Sequence, residues 1–78
     1  MDKTKLNEIL HAMANKAAIS NIVKEEGTYE NMRECPIYSE LNGMELVLKM
    51  MGIEFEYEFN EDVTKMTAIN AQGIRVEI

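Results

Sequence analysis

The stretch that decides the fold is IEFEYEF, residues 53–59, in which apolar and acidic side chains alternate without exception. Strict alternation with aromatic and β-branched residues on one side predicts a β-strand that has one buried and one solvated face. The predicted buried side holds Ile53, Phe55, Tyr57 and Phe59. The predicted solvated side holds Glu54, Glu56 and Glu58, which form a row of carboxylates.

Two further apolar segments complete a predicted β-meander. VTKMTAIN predicts a strand over residues 64–70, and GIRVEI predicts a strand over residues 74–78. In the last strand the side chains expected to point inward are those of Ile74, Val76 and Ile78. Together with 53–59, these segments indicate three antiparallel strands joined by short turns.

The connection between the last two strands decides which side of the middle strand is buried. The sequence AQG fits a three-residue hairpin loop with Gly73 in the left-handed conformation, and this loop turns Met66 and Ala68 inward. A two-residue loop would instead turn inward Thr67, Ile69 and Lys65. Because burying a lysine is costly, the three-residue loop is favoured.

The N-terminal part, residues 3–26, predicts an amphipathic helix. Its apolar residues recur at the i, i+3, i+4, i+7 spacing that places them on one face. They are Leu6, Ile9, Leu10, Met13 and Ala17. Gly27 is expected to stop this helix.

A polar segment, residues 28–36, follows as a loop or a short helical turn and ends at Pro36. A second helix is predicted over residues 37–51, with Gly52 as its stop. Ser39 and Asn42 are alternative N-caps of this helix. Asn42 is a candidate because Glu45, three residues later, completes an approximate capping box.

The second predicted helix is apolar nearly all round. One face combines Leu41, Met44, Leu48 and Met51. Leu46 and Met50 lie on the opposite side, which so small a protein has little else to cover. This outward side is the best indication of oligomerisation or partner binding.

These elements predict an α+β fold in a single domain, residues 1–78: two helices packed on one face of a three-stranded antiparallel β-meander, in the order α-α-β-β-β. Runs without a charge, such as residues 17–23, are too short to span a bilayer. The N-terminal pattern is not that of a secretory signal, so a cytoplasmic protein without membrane association is expected.

The formal net charge is −6 and is unevenly distributed. Residues 1–24 carry four lysines against two acids, and residues 25–78 carry twelve acids against four bases, which gives +2 and −8. Such a field repels nucleic acids, so direct nucleic-acid binding is not expected. A basic protein partner or a second copy of the chain fits better.

The acidic segment from residue 54 to residue 62 has two interpretations. The polar side of a one-face-solvated sheet accounts for it without any function. Alternatively, it is a surface for a lysine- or arginine-rich partner, because five acids and no base occur there and glutamate is disfavoured in strands. The candidate acidic residues are Glu54, Glu56, Glu58, Glu61 and Asp62.

No catalytic, metal or nucleotide motif occurs in the sequence. Cys35 and His11 are the only cysteine and histidine, so an internal disulfide and a zinc site built from these side chains are excluded. Cys35 is interpreted as a partly buried structural thiol and His11 as a surface residue. Neither an enzyme nor a bound cofactor is expected.

The leading functional hypothesis is a small acidic, non-enzymatic interaction module that forms a homodimer or binds another protein as an inhibitor or adaptor. Leu46 and Met50 would supply the apolar contact and the acidic residues the electrostatic one. The alternative is a small-ligand sensor or regulatory subunit with a pocket between helices and sheet, near Tyr29, Tyr38 and Tyr57.

Overall fold

The structure, a computed structural model, describes residues 2–59 and 66–78. Within these residues two helices and three strands form the predicted α+β two-layer arrangement, which is confirmed. The elements are α1 (Lys3–Glu26), a 3-10 turn (Met32–Glu34), α2 (Pro36–Met50), β1 (Phe55–Phe59), β2 (Met66–Ala71) and β3 (Ile74–Glu77). The strands make one antiparallel sheet with β2 in the middle. No helix in the described ranges is both long and apolar enough to cross a membrane.

Helix α1 has a defined start and stop. The Asp2 carboxylate accepts a hydrogen bond from the Thr4 amide at 2.7 Å, which satisfies an amide that the first helical turn leaves unpaired. Gly27 ends the helix at φ +69°, the left-handed conformation that glycine adopts without strain. Between these ends, the buried face of α1 packs against α2, β2 and β3.

Helix α2 begins at Pro36, so both predicted N-caps are wrong, and Ser39 and Asn42 lie inside the helix. Proline suits the first helical position because its φ is preset and an amide there would be unpaired in any case. Cys35 before it is extended, at φ −78° and ψ 117°, as a residue preceding proline prefers. The Ser39 hydroxyl instead donates to the Arg33 carbonyl oxygen at 3.1 Å and ties the 3-10 turn to α2.

The end of α2 leads directly into the sheet. Gly52 has φ +74°, and its amide donates to the Lys49 carbonyl oxygen at 3.0 Å. The next amide, of Ile53, donates to the Leu48 carbonyl oxygen at 2.9 Å, which completes a Schellman motif. Leu48 and Ile53 are both buried, so this cap also joins α2 to the core.

The hairpin between β2 and β3 differs from the prediction. Ala71 pairs with Ile74, which leaves a two-residue turn, Gln72–Gly73, instead of the predicted three-residue loop. Both turn residues have positive φ, +51° and +80°. Positive φ at both central positions is the pattern of a type I′ turn, whose twist matches that of the flanking strands.

The shorter turn reverses the predicted facing of β2. Ile69 and Ala71 lie in the core, and Val76 pairs with Ile69 from the neighbouring strand. Ala68, predicted to face the core, is buried on the opposite side of the sheet, because successive strand residues point to opposite faces. The predicted facings of Lys65, Met66 and Thr67 fall outside the part of the chain whose side chains the structure describes.

The core lies between α1, the inward side of α2 and the inner face of the sheet. Its buried residues are Leu6, Leu10, Met13, Ala14, Ala17, Leu41, Leu48, Ile53, Ile69, Ala71 and Val76. Two residues predicted to face inward are about half exposed: Ile78, which follows the end of β3, and Phe59, which follows an irregularity in the β1–β2 pairing. Both positions lie where regular pairing ends, so the sheet does not hold them over the core.

Candidate functional site

The outward side of α2 carries a continuous exposed apolar surface, the α2 stripe, which consists of Leu46, Val47, Met50 and Met51. Leu46 and Met50, predicted to point away from the core, are 58% and 78% exposed. Met51 was expected on the core side, but the helix ends at Met50 and the Met51 side chain is about half exposed. Val47 belongs to the same surface, although the sequence pattern did not single it out.

A groove between α1 and α2 borders the α2 stripe. Its volume is about 540 Å³, and its lining includes Ile9, Gly43, Met44 and Val47. The Lys16 ammonium and the Glu40 carboxylate, 2.7 Å apart, form an ion pair between the two helices at this groove. The groove therefore extends the apolar surface of α2 toward α1.

The outer face of the sheet bears the predicted row of carboxylates, but it also carries a cation. Glu54, Glu56 and Glu58 are exposed, as predicted. Arg75 on β3 donates from a terminal nitrogen to the Glu58 carboxylate and from Nε to Glu77, the latter at 2.9 Å. The hydrogen bond from Arg75 and its positive charge hold the pKa of Glu58 below its usual value. The hydrogen bonds to Glu58 and Glu77, and the negative charge of these carboxylates, raise the pKa of Arg75. Glu61 and Asp62 lie outside the described residues.

The small side chain of Ala68 on β2 allows Arg75 on β3 to reach β1, which does not pair with β3. In the pairing register Ala68 lies opposite Glu58 on one side and Glu77 on the other. Neighbouring strands are about 4.8 Å apart, so the arginine must cross the middle strand to join both carboxylates. Ala68 is small enough to let it pass and is only 1% exposed. Glu54 and Glu56 make no ion pair with any residue of the described ranges and remain the uncompensated part of the row.

A cleft of about 670 Å³ separates the C-terminal half of α2 from β1. Glu45 and Lys49 line it from the helix, and Phe55 and Tyr57 line it from the strand. The Lys49 ammonium lies 5.9 Å from the centre of the Phe55 ring, within the range of a cation–π contact. The Phe55 and Tyr57 rings meet edge-on at 5.5 Å, which stiffens the strand side of the cleft.

A smaller cavity of about 120 Å³ lies between α1, α2 and β1. Its lining comprises Ala17, Ser20, Asn21, Lys24, Met32, Tyr38, Leu41, Tyr57 and Phe59. Three buried polar atoms of these residues, Ser20 Oγ, Asn21 Nδ2 and Tyr57 Oη, have no hydrogen-bond partner among the described residues. Burial, and to a lesser extent the negative charge of Glu45, raise the pKa of Tyr57.

The cavity partly matches the pocket that the sequence suggested. Tyr38 and Tyr57 contribute to it, whereas Tyr29 is not part of its lining. Sequence reasoning missed Ser20 and Asn21 as site residues. The available signal was that two adjacent polar residues interrupt the apolar pattern of α1, and Ser20 is 4% exposed in the fold.

Cys35 and His11 are the two residues whose side chains are best suited to nucleophilic or acid–base chemistry. Cys35 is buried at the start of α2, and His11 is exposed on α1. In the described ranges, no three side chains of histidine, cysteine, aspartate or glutamate come together in a way that could hold a metal ion.

Comparisons of the chain with protein-family models, with curated proteins and with solved structures found no match. Three features of the chain itself bear on its function: the α2 stripe, the outer sheet face and the cavity between the helices and the sheet.

Proposed function

We propose that the protein is a small non-enzymatic interaction module that self-associates through the α2 stripe and presents its acidic sheet face to a basic partner. The observation that carries the proposal is the exposed apolar surface of α2, in which Leu46, Val47 and Met50 are each more than half exposed. Contiguous exposed apolar surface of this kind is typical of interaction sites, whereas single exposed apolar residues are ordinary.

Gly43 favours a second copy as the occupant of the α2 stripe. It lies inside α2, one helical turn before Leu46 and Val47 and two turns before Met50, so it shares their side of the helix. A glycine in a helix interior costs about 1 kcal/mol relative to alanine. A Cβ added at Gly43 would meet nothing within 4 Å, so packing inside the chain does not require the glycine. Close approach of another helix, such as α2 of a second copy, would explain why a glycine occurs at position 43.

The distribution of charge also favours self-association through α2. With a net charge of −6, two copies repel each other if their acidic faces meet. The charged residues beside the α2 stripe nearly cancel, since Glu40 is paired with Lys16 and Glu45 is accompanied by Lys49 one turn later. The α2 side is therefore a surface on which two copies can meet without bringing an excess of like charge together.

The outer sheet face then remains open to a partner of opposite charge. Among the described residues it carries Glu54, Glu56, Glu58 and Glu77 against Arg75, which is four acids and one base. Complementary charge across an interface speeds encounter and selects the partner. A lysine- or arginine-rich protein segment is the chemistry that fits this face.

Self-association is tested by light scattering coupled to size exclusion over a range of protein concentrations. We expect a mass of twice the 8.9 kDa chain for the wild type and a monomer for Met50→Glu. Ile22→Glu is the matched control, because Ile22 is 40% exposed on α1 and lies outside the α2 stripe. A monomeric wild type at the highest concentration, or dimers of both variants, would refute self-association through α2.

Binding of a basic partner is tested with a fluorescent lysine-rich peptide, titrated at low and high salt. The double variant Glu54→Lys with Glu56→Lys should lose binding. The control double variant, Glu25→Lys with Glu26→Lys, makes the same charge change at the exposed end of α1. It should keep most of the peptide binding. Equal losses in both variants would mean that only net charge matters, and the sheet face would then be a solvated surface.

A second candidate function, a ligand-binding regulatory subunit, is favoured by one separate observation. The cavity between the helices and the sheet gathers Ser20, Asn21 and Tyr57 with unpartnered polar atoms, which a solvated surface does not explain.

A further inference from the structure

Strand β1 lies at an edge of the sheet, because the strand order is β1-β2-β3 and β1 pairs with β2 alone among the described residues. Along an edge strand, every second residue points its amide and carbonyl away from the sheet, where they can pair with another chain. In the described ranges, no backbone group outside the sheet hydrogen-bonds to β1. The outer edge of β1 is therefore a row of unpaired backbone groups.

The register of the sheet identifies the residues that supply these groups. Ala71 closes the two-residue hairpin to β3, so its amide and carbonyl point toward β3. The direction alternates along a strand, so the amide and carbonyl of Asn70 point toward β1, where Asn70 lies opposite Glu56. Glu56 is therefore hydrogen-bonded to β2. The amides and carbonyls of Phe55 and Tyr57, on either side of it, point to the free edge.

The cleft between α2 and β1 lies along this edge. Its lining includes every residue from 52 to 57, and α2 contributes Glu45 and Lys49. Its volume of about 670 Å³ is within the range of ligand sites. The half-buried rings of Phe55 and Tyr57 give it apolar surface. A strand added to β1 would lie about 4.8 Å away, and the cleft provides space for it.

We propose that the free edge of β1 binds an extended basic peptide segment as a fourth, antiparallel strand of the sheet. In strand addition of this kind, backbone hydrogen bonds supply affinity and the surroundings of alternate side chains supply specificity. The inference rests on the proposed binding of a basic partner to the outer sheet face, and it specifies how that partner is held.

The charge of β1 favours a basic segment over a second copy of the strand. Glu54, Glu56 and Glu58 are exposed along β1 and the residue before it. A second β1 would bring its own glutamates beside them, and like charges on paired strands are destabilising. Lysine or arginine at alternate positions of a partner would instead lie opposite Glu54 and Glu56, which have no ion pair among the described residues.

The two sides of the added strand would have different surroundings. Directly opposite residues of an antiparallel pair share a face of the sheet. Residues opposite Phe55 and Tyr57 would point their side chains toward the rings in the cleft, and their backbones would bond to β1. Residues opposite Glu54 and Glu56 would point to the outer face, and their amides would point away from β1. The segment that fits therefore alternates apolar and basic residues.

The test is an NMR titration of the full chain, labelled with nitrogen-15, with the end-blocked peptide KVKVKV and two N-methylated forms of it. Methylation of the three valine amides removes the donors that face β1, whereas methylation of the three lysine amides removes as many donors from the far side. We expect saturable binding of the unmodified and lysine-methylated peptides. The valine-methylated peptide should bind about tenfold more weakly or worse, because it loses several backbone hydrogen bonds.

Hydrogen exchange of the same complex gives a second, residue-specific readout. At saturation with KVKVKV, the amides of Phe55 and Tyr57 should exchange about tenfold more slowly than in the free protein. The Glu56 amide, already bonded to β2, is the internal control and should change little.

Two results would overturn the inference and leave the proposed basic partner intact. One is equal affinity of the two methylated peptides, which would mean that charge alone holds the peptide. The other is unchanged exchange of Phe55 and Tyr57 in a peptide complex. A complete absence of KVKVKV binding would overturn both the added strand and the basic partner of the sheet face. The protein is the same in every titration, so loss of folding does not enter the comparison.

Discussion

Replacing Tyr57 by phenylalanine is expected to stabilise the protein. The hydroxyl oxygen is buried and has no hydrogen-bond partner among the described residues. Removing it relieves the cost of desolvating an unpaired polar group and leaves the ring in place. The ring contacts to Phe55 at 5.5 Å and Phe59 at 6.1 Å are kept, because phenylalanine has the same ring.

The magnitude follows from the burial of that one atom. An unsatisfied buried polar group costs about 1–3 kcal/mol. The Tyr57 side chain as a whole is half-buried, so the low end applies, and the free energy of unfolding should rise by about 1 kcal/mol. For a domain of this size, about 1 kcal/mol corresponds to a rise in Tm of about 4–8 °C.

The advantage of phenylalanine should grow at high pH. The pKa of Tyr57 is raised in the folded protein, whereas in the unfolded chain it is about 10. Above that pH the unfolded chain loses the proton and the folded chain keeps it, so the wild type loses stability as the pH rises. The full linkage slope for one proton is about 1.4 kcal/mol per pH unit, and solvent screening of a half-buried group makes the measured slope smaller. Phenylalanine has no proton to lose and escapes this loss.

Urea unfolding of the wild type, Tyr57→Phe and the control Tyr29→Phe, at pH 7 and above pH 10, measures both effects. The control should stay within about 0.5 kcal/mol of the wild type at pH 7. A loss of stability in Tyr57→Phe at pH 7 would refute the reasoning, because it would mean that the hydroxyl makes a favourable hydrogen bond. A stability difference that does not widen above pH 10 would refute the origin assigned to the raised pKa.

Three other substitutions test separate parts of the structure. Gly43→Ala should stabilise the monomer by about 1 kcal/mol in urea unfolding, because the added methyl group has open space in the monomer. It should weaken dimerisation in sedimentation experiments, because in the proposed dimer the methyl group would face the second copy. Arg75→Gln should lower the free energy of unfolding at neutral pH, by an amount that shrinks in high salt. Arg75 lowers the pKa of Glu58 in the folded protein, so the wild type loses stability as the pH falls below the pKa of Glu58 in the unfolded chain. Arg75→Gln should reduce this loss. Ile69→Ala should cost about 2–5 kcal/mol in urea unfolding, because Ile69 is fully buried, while Ile78→Ala at an exposed position should cost far less.

The regular elements could be predicted from the sequence because their signals are local. The apolar spacing of α1 and the glycine after it gave a helix over 3–26, and α1 spans Lys3–Glu26. The alternation of residues 53–59 gave the first strand, and β1 spans Phe55–Phe59. In both elements the periodic pattern and the buried face agree, so local preference and tertiary packing do not compete.

The errors arose where the deciding residue has an unusual position. Pro36 closes the polar segment predicted over residues 28–36, but proline is also common at the first position of a helix, and Pro36 is where α2 starts. Gln72 is an uncommon residue at a turn position with positive φ, so the two-residue hairpin had no recognisable signal. The predicted facing of Lys65 depends on unbroken alternation along the strand, and Lys65 lies outside the described residues. The β1–β2 pairing shifts between Glu58 and Phe59, so alternation is not continuous along this pair of strands.

The candidate sites differ in how far the sequence reveals them. The outward position of Leu46 and Met50 follows from helical spacing alone. The pairing of Arg75 with Glu58 requires the sheet register, because the two residues lie on strands that are not neighbours. The cavity requires α1 and β1 to be packed together, and no local pattern connects Ser20 with Tyr57.

The α2 stripe can be separated from ordinary surface exposure by comparing it with α1. Ile19 and Ile22 are also exposed, at 42% and 40%, but these two residues, one helical turn apart, are the only large exposed apolar residues of α1. On α2, four of the six positions from 46 to 51 are large, apolar and about half exposed or more. A chain of this size keeps much apolar area on its surface in any case, so exposure alone does not identify a site. The combination of contiguous apolar side chains, an adjoining groove and a glycine that the monomer does not need distinguishes α2 and supports the proposal that a second α2 packs on it.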